Sequence, residues 1–125
     1  MRQAGYDLAQ AEGLLAQAVF SYAAFFAEQA AQKSLKAYLL SQGMRLVTIH
    51  SVRELAREAA SHDSRFTPLI EDGGRLDRHY LTSRYPDALP EPAIPAEVYT
   101  KQDAEEAVAM ARRICQTAKI AVEGG

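Results

Sequence analysis

The sequence predicts an all-α fold, a five-helix up-and-down bundle with a long, central second helix. Two features of the composition favour helices. Alanine, the strongest helix former, supplies almost a fifth of the 125 residues, and four of the five prolines are confined to 86–95. No strand pattern competes, because the apolar run at 46–49 is short and isolated.

The first two helices are predicted from the spacing of their apolar residues. The first covers about Ala4–Gln17 and the second about Val19–Ser41, with Gly43 as the expected C-cap of the second. In the second helix, apolar residues recur at spacings of four and three: Phe20, Ala24, Ala27, Ala31, Leu35 and Tyr38. Its polar residues form a narrow opposite stripe, which predicts a helix buried on most sides: Glu28, Gln29, Gln32, Lys33 and Lys36.

Capping signals place the remaining three helices. Ser51 and Glu54 form a Ser-x-x-Glu capping box, which begins a third helix of about ten residues. Thr67-Pro68 is an N-cap followed by a proline at the first helical position, and this fourth helix is expected to end before Tyr85-Pro86. The expected inward residues of the fourth helix are Leu69, Ile70, Leu76 and Tyr80.

Two further patterns concern the fourth and fifth helices. Gly73-Gly74 is expected either to kink the fourth helix or to divide it. Thr100 and Asp103 form a second capping box, which begins the last helix. Its predicted packing seam has spacings of four and three: Ala104, Val108, Ala111, Cys115, Ala118 and Val122.

Composition and charge exclude several classes of protein. The length suits one domain over 1–125, and a net charge of −2 disfavours a polyanion binder with a strong overall positive field. A single cysteine, Cys115, rules out an internal disulfide framework and a multi-cysteine zinc site, and we expect it to be an inert buried thiol. No apolar run reaches the length of a membrane span, so we expect no membrane association and a cytoplasmic location.

Several short motifs follow one another along the chain, and one of them is the run Gln-Ala-Ala-x-Lys-x-Leu-Lys in the second helix. The others are Tyr6-Asp7-Leu8, His50-Ser51, Leu76-Asp77-Arg78-His79-Tyr80, Arg84-Tyr85-Pro86-Asp87 and Tyr99-Thr100-Lys101-Gln102-Asp103. This ordered set resembles the HEPN family (higher eukaryotes and prokaryotes nucleotide-binding domain) over essentially the whole chain, particularly through the helix run, the His-Ser pair and the Arg-Tyr-Pro-Asp motif. Gln32 departs from the family pattern, because related sequences usually have glutamate there.

The resemblance implies a helical bundle that commonly forms a homodimer. Some members of the family are metal-independent ribonucleases, and many are encoded beside a small nucleotidyltransferase in toxin–antitoxin-like pairs. Our first functional hypothesis is therefore a module that binds nucleotide or RNA and has a nucleotidyltransferase partner. The alternatives are a metal-independent endoribonuclease with toxin character and a purely structural helical interaction protein.

Four residues are candidates for phosphate binding: Lys33, Lys36, His50 and Arg84. Two ammonium groups one turn apart can hold a polyanion, although lysines on a polar stripe are more often simply solvated. Arg84 can bind phosphate through two hydrogen bonds from its planar guanidinium, or it can pair with Asp87 or with the C-terminal end of a helix. If the functional interpretation holds, we expect Lys36, His50 and Arg84 to converge on one cleft.

For an enzyme, the candidate catalytic residues are Arg84, His50 and His79. The resemblance implies an arginine followed by a histidine after four to six residues, but Arg45–His50 and Arg57–His62 are close to chance frequency, and no histidine follows Arg84. The ribonuclease motif is therefore predicted to be degenerate and activity to be absent or weak. No helical metal-ligand motif and no glycine-rich phosphate loop occurs, so we expect no metal and no cofactor.

Overall fold

The computed structural model describes residues 1–45, 47–84 and 100–124, with the backbone alone at 80–84. It confirms the all-α prediction: five α-helices and one short 3₁₀ helix occur in these ranges, with no strand. The α-helices are α1 (Arg2–Ala16), α2 (Phe20–Ser41), α3 (Val52–His62), α4 (Leu69–Arg84) and α5 (Lys101–Gly124). The 3₁₀ helix covers Ser64–Phe66.

Helix α2 is the centre of the bundle and packs against all four other α-helices. Its predicted apolar stripe is buried from Ala24 to Tyr38, and only Phe20 at its start is partly exposed. The 3₁₀ helix places Phe66 against Tyr38, with ring centroids 4.6 Å apart. These two aromatic rings close the core at the end of α2.

Contacts between the helices establish an up-and-down arrangement. Asp7, early in α1, bonds to Lys33, late in α2, so these two helices are antiparallel. Asp72 and His79 of α4 lie against Arg113 and Glu106 of α5 in reversed order, so this pair is also antiparallel. None of the helices in the described part of the chain is long and apolar enough to cross a membrane.

Helices α3 and α4 approach each other closely at a glycine. A Cβ atom added at Gly73 would lie 2.8 Å from the backbone nitrogen of Arg53, so only glycine fits there without displacing backbone. Helix α4 runs through Gly73 and Gly74 without interruption, so the predicted division of this helix is wrong. The glycine pair allows close packing.

Three details differ from the sequence prediction. Thr67 has helical backbone angles because the 3₁₀ helix leads directly into α4, so it does not have the extended conformation of an N-cap. In α5 the residues Ile114 and Ala121 are buried in place of Cys115 and Val122. The reason is that α1, α2 and α4 all pack against this helix, and their positions decide which side of the predicted seam is covered. The proline-rich stretch at 86–95 and the expected inward side chain of Tyr80 lie outside the described residues.

Candidate functional site

A ladder of three polar side chains follows the face of α2 that meets α3 and α4. Glu28, Gln32 and Lys36 are one turn apart, and we call them the polar ladder. The Gln32 amide donates to Glu28 Oε1 at 2.9 Å, and the Lys36 ammonium donates to Gln32 Oε1 at 3.0 Å. The same Gln32 amide nitrogen also donates to the backbone carbonyl of His50 at 2.9 Å, which ties α2 to the segment that precedes α3.

Glu28 is buried, which corrects the prediction that it lies on a polar stripe opposite the buried face. Only 1% of its surface is exposed, in contrast to the partly exposed Gln32 and Lys36. Burial raises the pKa of Glu28 from its usual 4.5 to about 8, the negative charge of Asp77 adds to this increase, and Gln32 and Lys36 oppose it. Glu28 is therefore mainly protonated and uncharged at neutral pH, and it does not neutralise Lys36.

Asp77 of α4 joins the ladder to the start of α3. Its carboxylate accepts hydrogen bonds from the Ser51 hydroxyl at 2.7 Å and from the backbone N–H groups of Val52 and Arg53 at 2.8 and 3.2 Å. The Ser51 hydroxyl accepts in turn from the N–H of Glu54, which confirms the predicted N-cap. The negative charge of Asp77 is thus placed at the positive end of α3.

Of the sequence candidates, the structure links the Lys36 ammonium to the backbone of His50, because the Gln32 side chain bonds to both. The imidazole of His50 is exposed at the start of α3, beside this contact. Arg84 is the last residue of α4 and follows Asp77 by seven positions, which places it on the same helical face about 10 Å further along. The side chain of Arg84 lies outside the described part of the molecule.

Two other candidates lie apart from this cluster. The Lys33 ammonium donates to the buried carboxylate of Asp7 at 2.6 Å, so this lysine joins α2 to α1 and does not share a site with Lys36. His79 is directed towards α5 and lies 4.0 Å from Glu106. Burial lowers the pKa of His79, which favours the neutral imidazole at neutral pH.

The remaining sequence candidates in the described part of the chain lie apart from one another. Arg57 pairs with Glu54 at 2.6 Å, and His62 lies at the far end of the same helix. Cys115 is only partly buried, which corrects the expectation of a buried thiol, and burial still raises its pKa. In the described ranges, no three His, Cys, Asp or Glu side chains are grouped so as to hold a metal ion.

The fold and the motifs together define the class of this protein. The chain belongs to the HEPN domain family, whose model matches residues 1–121. It is 29% identical over 126 residues to "Putative toxin MJ1304" of Methanocaldococcus jannaschii, covering 95% of this chain and 83% of that protein.

Two solved structures share the fold. TT1696 from Thermus thermophilus superimposes with a TM-score of 0.84 at 31% identity, over 96% of this chain and 93% of the other. ST0689, described as an archaeal HEPN homologue, superimposes with a TM-score of 0.78 at 31% identity, over 97% of this chain and 93% of the other.

Sequence reasoning missed Glu28 and Asp77 as members of the site. A signal was present for Glu28, because its spacing of four residues to Gln32 and of eight to Lys36 predicts a ladder on one helical face. No local pattern indicates the contact of Asp77 with Ser51, because these residues are 26 positions apart.

Proposed function

We propose that this chain is a HEPN module that binds the phosphate groups of a nucleotide or RNA at the junction of α2, α3 and α4. In this proposal it acts as a homodimer and as the partner of a separate nucleotidyltransferase in a toxin–antitoxin-like pair. Lys36 supplies the charge, His50 lies at the edge of the site, and Arg84 extends it along the Asp77 face of α4.

One observation carries the proposal: Gln32 holds Lys36 and the His50 backbone beside an uncharged Glu28. A lysine next to an ionised carboxylate is already neutralised, whereas next to a protonated carboxyl group it keeps its attraction for an anion. Asp77 is also present, but its charge is directed at the N–H groups of α3. The HEPN family membership and the toxin-named relative support a role of this kind.

Replacing Lys36 with glutamine is expected to weaken RNA binding about tenfold, because one phosphate contact is lost. The measurement is fluorescence anisotropy with a labelled 12-nucleotide single-stranded RNA at several salt concentrations. The slope of log affinity against log salt is expected to decrease by about 0.7, the value for one contact on a single strand. Lys119→Gln, an exposed lysine on α5, is the charge-matched control, and equal affinities for both variants would contradict the proposal.

The role of Arg84 is tested with the same RNA. Arg84→Lys keeps the charge and removes the planar fork, so a bidentate phosphate contact is expected to weaken with this variant as it does with Arg84→Ala. If both variants bind RNA as the wild type does and only thermal stability falls, Arg84 is a structural residue at the end of α4.

The homodimer is expected to use helix faces and to bury on the order of 2,000 Å² in total. Light scattering at high micromolar concentration is expected to yield twice the mass of one chain. A monomeric mass under these conditions contradicts this part of the proposal and leaves phosphate binding unaffected.

One observation favours the endoribonuclease alternative. Glu28, with a pKa of about 8, keeps a proton near neutral pH, and Gln32 connects it to the backbone of the exposed His50. The test is cleavage of the single-stranded RNA in the presence of a chelator. Cleavage that is lost in Glu28→Gln and in His50→Ala would show that the protein is an endoribonuclease. We expect no cleavage, because the arginine–histidine spacing of the active members is missing after Arg84.

A further inference from the structure

A polar concavity of about 510 Å³ lies between the start of α3 and one face of α4. Three arginines line it, one from α3 and two from α4. We call it the arginine pocket, and its lining includes Arg53, Thr67, Glu71, Gly74, Arg75 and Arg78.

The glycine pair of α4 explains why this pocket exists. Gly73 allows the backbones of α3 and α4 to meet, which brings Arg53 to the surface of α4. A Cβ atom added at Gly74 would lie 3.5 Å from the Cδ and Nη1 atoms of Arg53. Any larger side chain at Gly74 would therefore occupy space beside the Arg53 guanidinium, and glycine keeps the pocket open.

The charge of the pocket is positive. Its lining contains three guanidinium groups and one carboxylate, that of Glu71. Glu71 lies 3.4 Å from Arg75 and its side chain is 80% exposed, while Glu106 lies 3.9 Å from the same arginine. Exposed ion pairs of this kind contribute little to stability, so a phosphate group is able to displace the carboxylates from Arg75. The chain as a whole has a net charge of −2, so this concentration of arginine is a local feature.

We propose that the arginine pocket is a second phosphate site, which holds the backbone of the same single-stranded RNA that binds at Lys36. This inference rests on the proposed function and extends it. Asp77 bonds to the N–H groups of Val52 and Arg53, and Arg78 is the next residue after Asp77. The arginine pocket and the Lys36 site therefore adjoin at the start of α3. Among the described lining residues none is aromatic, and the positive groups are guanidiniums, so we expect the pocket to bind phosphate with little base preference.

The test combines loss of charge with a steric block. Arg53→Gln and Arg78→Gln are each expected to raise the Kd for the labelled 12-nucleotide RNA about fivefold, and more than tenfold together. Gly74→Leu fills the pocket without a change of charge and is expected to weaken RNA binding by a similar factor. The matched controls are Arg2→Gln and Gly13→Leu on α1, which are expected to stay within about twofold of the wild type. Circular dichroism verifies that each variant is folded.

Two further probes separate this inference from the proposed function. Inorganic tripolyphosphate carries no base. Calorimetry is expected to detect its binding in wild type and in Lys36→Gln, and to detect none when Gly74→Leu is added to Lys36→Gln. If tripolyphosphate behaves in this way and RNA does not bind at all, the pocket is a phosphate site and the proposed function is wrong. Unchanged RNA and tripolyphosphate binding in Gly74→Leu and in the double arginine variant would overturn the inference. It is likewise overturned if a glutamate-rich peptide binds the pocket and RNA does not compete with it, because the pocket then recognises an acidic protein segment.

Discussion

Replacing Asp77 with alanine is expected to lower the free energy of unfolding by about 2–4 kcal/mol, since hydrogen bonds to a charged acceptor are strong and their loss leaves donors unpaired. Three donors at the start of α3 lose their acceptor: the Ser51 hydroxyl and the N–H groups of Val52 and Arg53. Val52 is fully buried, so water does not easily replace the missing carboxylate. The favourable interaction of the carboxylate with the α3 dipole is lost as well.

Urea unfolding measures the loss of stability, and native-state hydrogen exchange is expected to show that the amides of α3 open more easily than those of α2. Asp72→Ala is the matched control on the same helix. Its carboxylate pairs with the half-exposed Arg113 and lies in the first turn of α4, and it accepts fewer bonds than Asp77 does, so a smaller loss of about 1–2 kcal/mol is expected. Equal effects of the two variants would show that Asp77 is an ordinary surface partner and does not cap α3.

The fold could be predicted from the sequence because its signals are local. The apolar stripe of α2 repeats within the helix itself, and Ser51 and Thr100 lie beside the helix ends that they cap. The structure places both N-caps as predicted, and it shows both bonds of a capping box at Thr100 and Asp103. The prediction of a division at Gly73-Gly74 was wrong for a non-local reason. Backbone propensity alone disfavours glycine within a helix, but here the close approach of Arg53 requires it.

The site could be predicted only in part, because its contacts join distant segments. Lys36 and His50 are 14 positions apart, and Gln32 bonds to the ammonium group of the first and to the backbone carbonyl of the second. Lys33 is three positions from Lys36, but its ammonium group donates a hydrogen bond to Asp7 of α1. A helical stripe shows which residues share a face, but it does not show which neighbouring helix covers each part of that face. The spacing of residues along α2 therefore does not predict that α3 and α4 bury Glu28.

The Glu28 carboxyl group makes stability depend on pH in a direction opposite to that of a paired carboxylate. Its pKa is about 8 in the folded protein and 4.5 without burial. Below pH 4.5 both states are protonated, and between 4.5 and 8 the unfolded chain loses the proton while the folded protein keeps it. Ionisation therefore favours the unfolded state in this window, and this contribution to stability falls as the pH rises and levels off above pH 8.

Glu28→Gln is expected to remove this dependence, because the amide has the same shape and does not titrate. We expect the variant to be more stable than the wild type at pH 8, by on the order of 3 kcal/mol, and the difference to shrink steadily towards pH 5. Urea unfolding of both proteins between pH 5 and 8 provides the measurement, and the difference between them cancels other titrating groups such as His79. Glu123→Gln, an exposed glutamate near the end of α5, is the control and is expected to follow the wild type at every pH. A difference between Glu28→Gln and wild type that does not change with pH would mean that Glu28 is ionised in the folded protein, and Lys36 would then have a charged partner in place of an uncharged one.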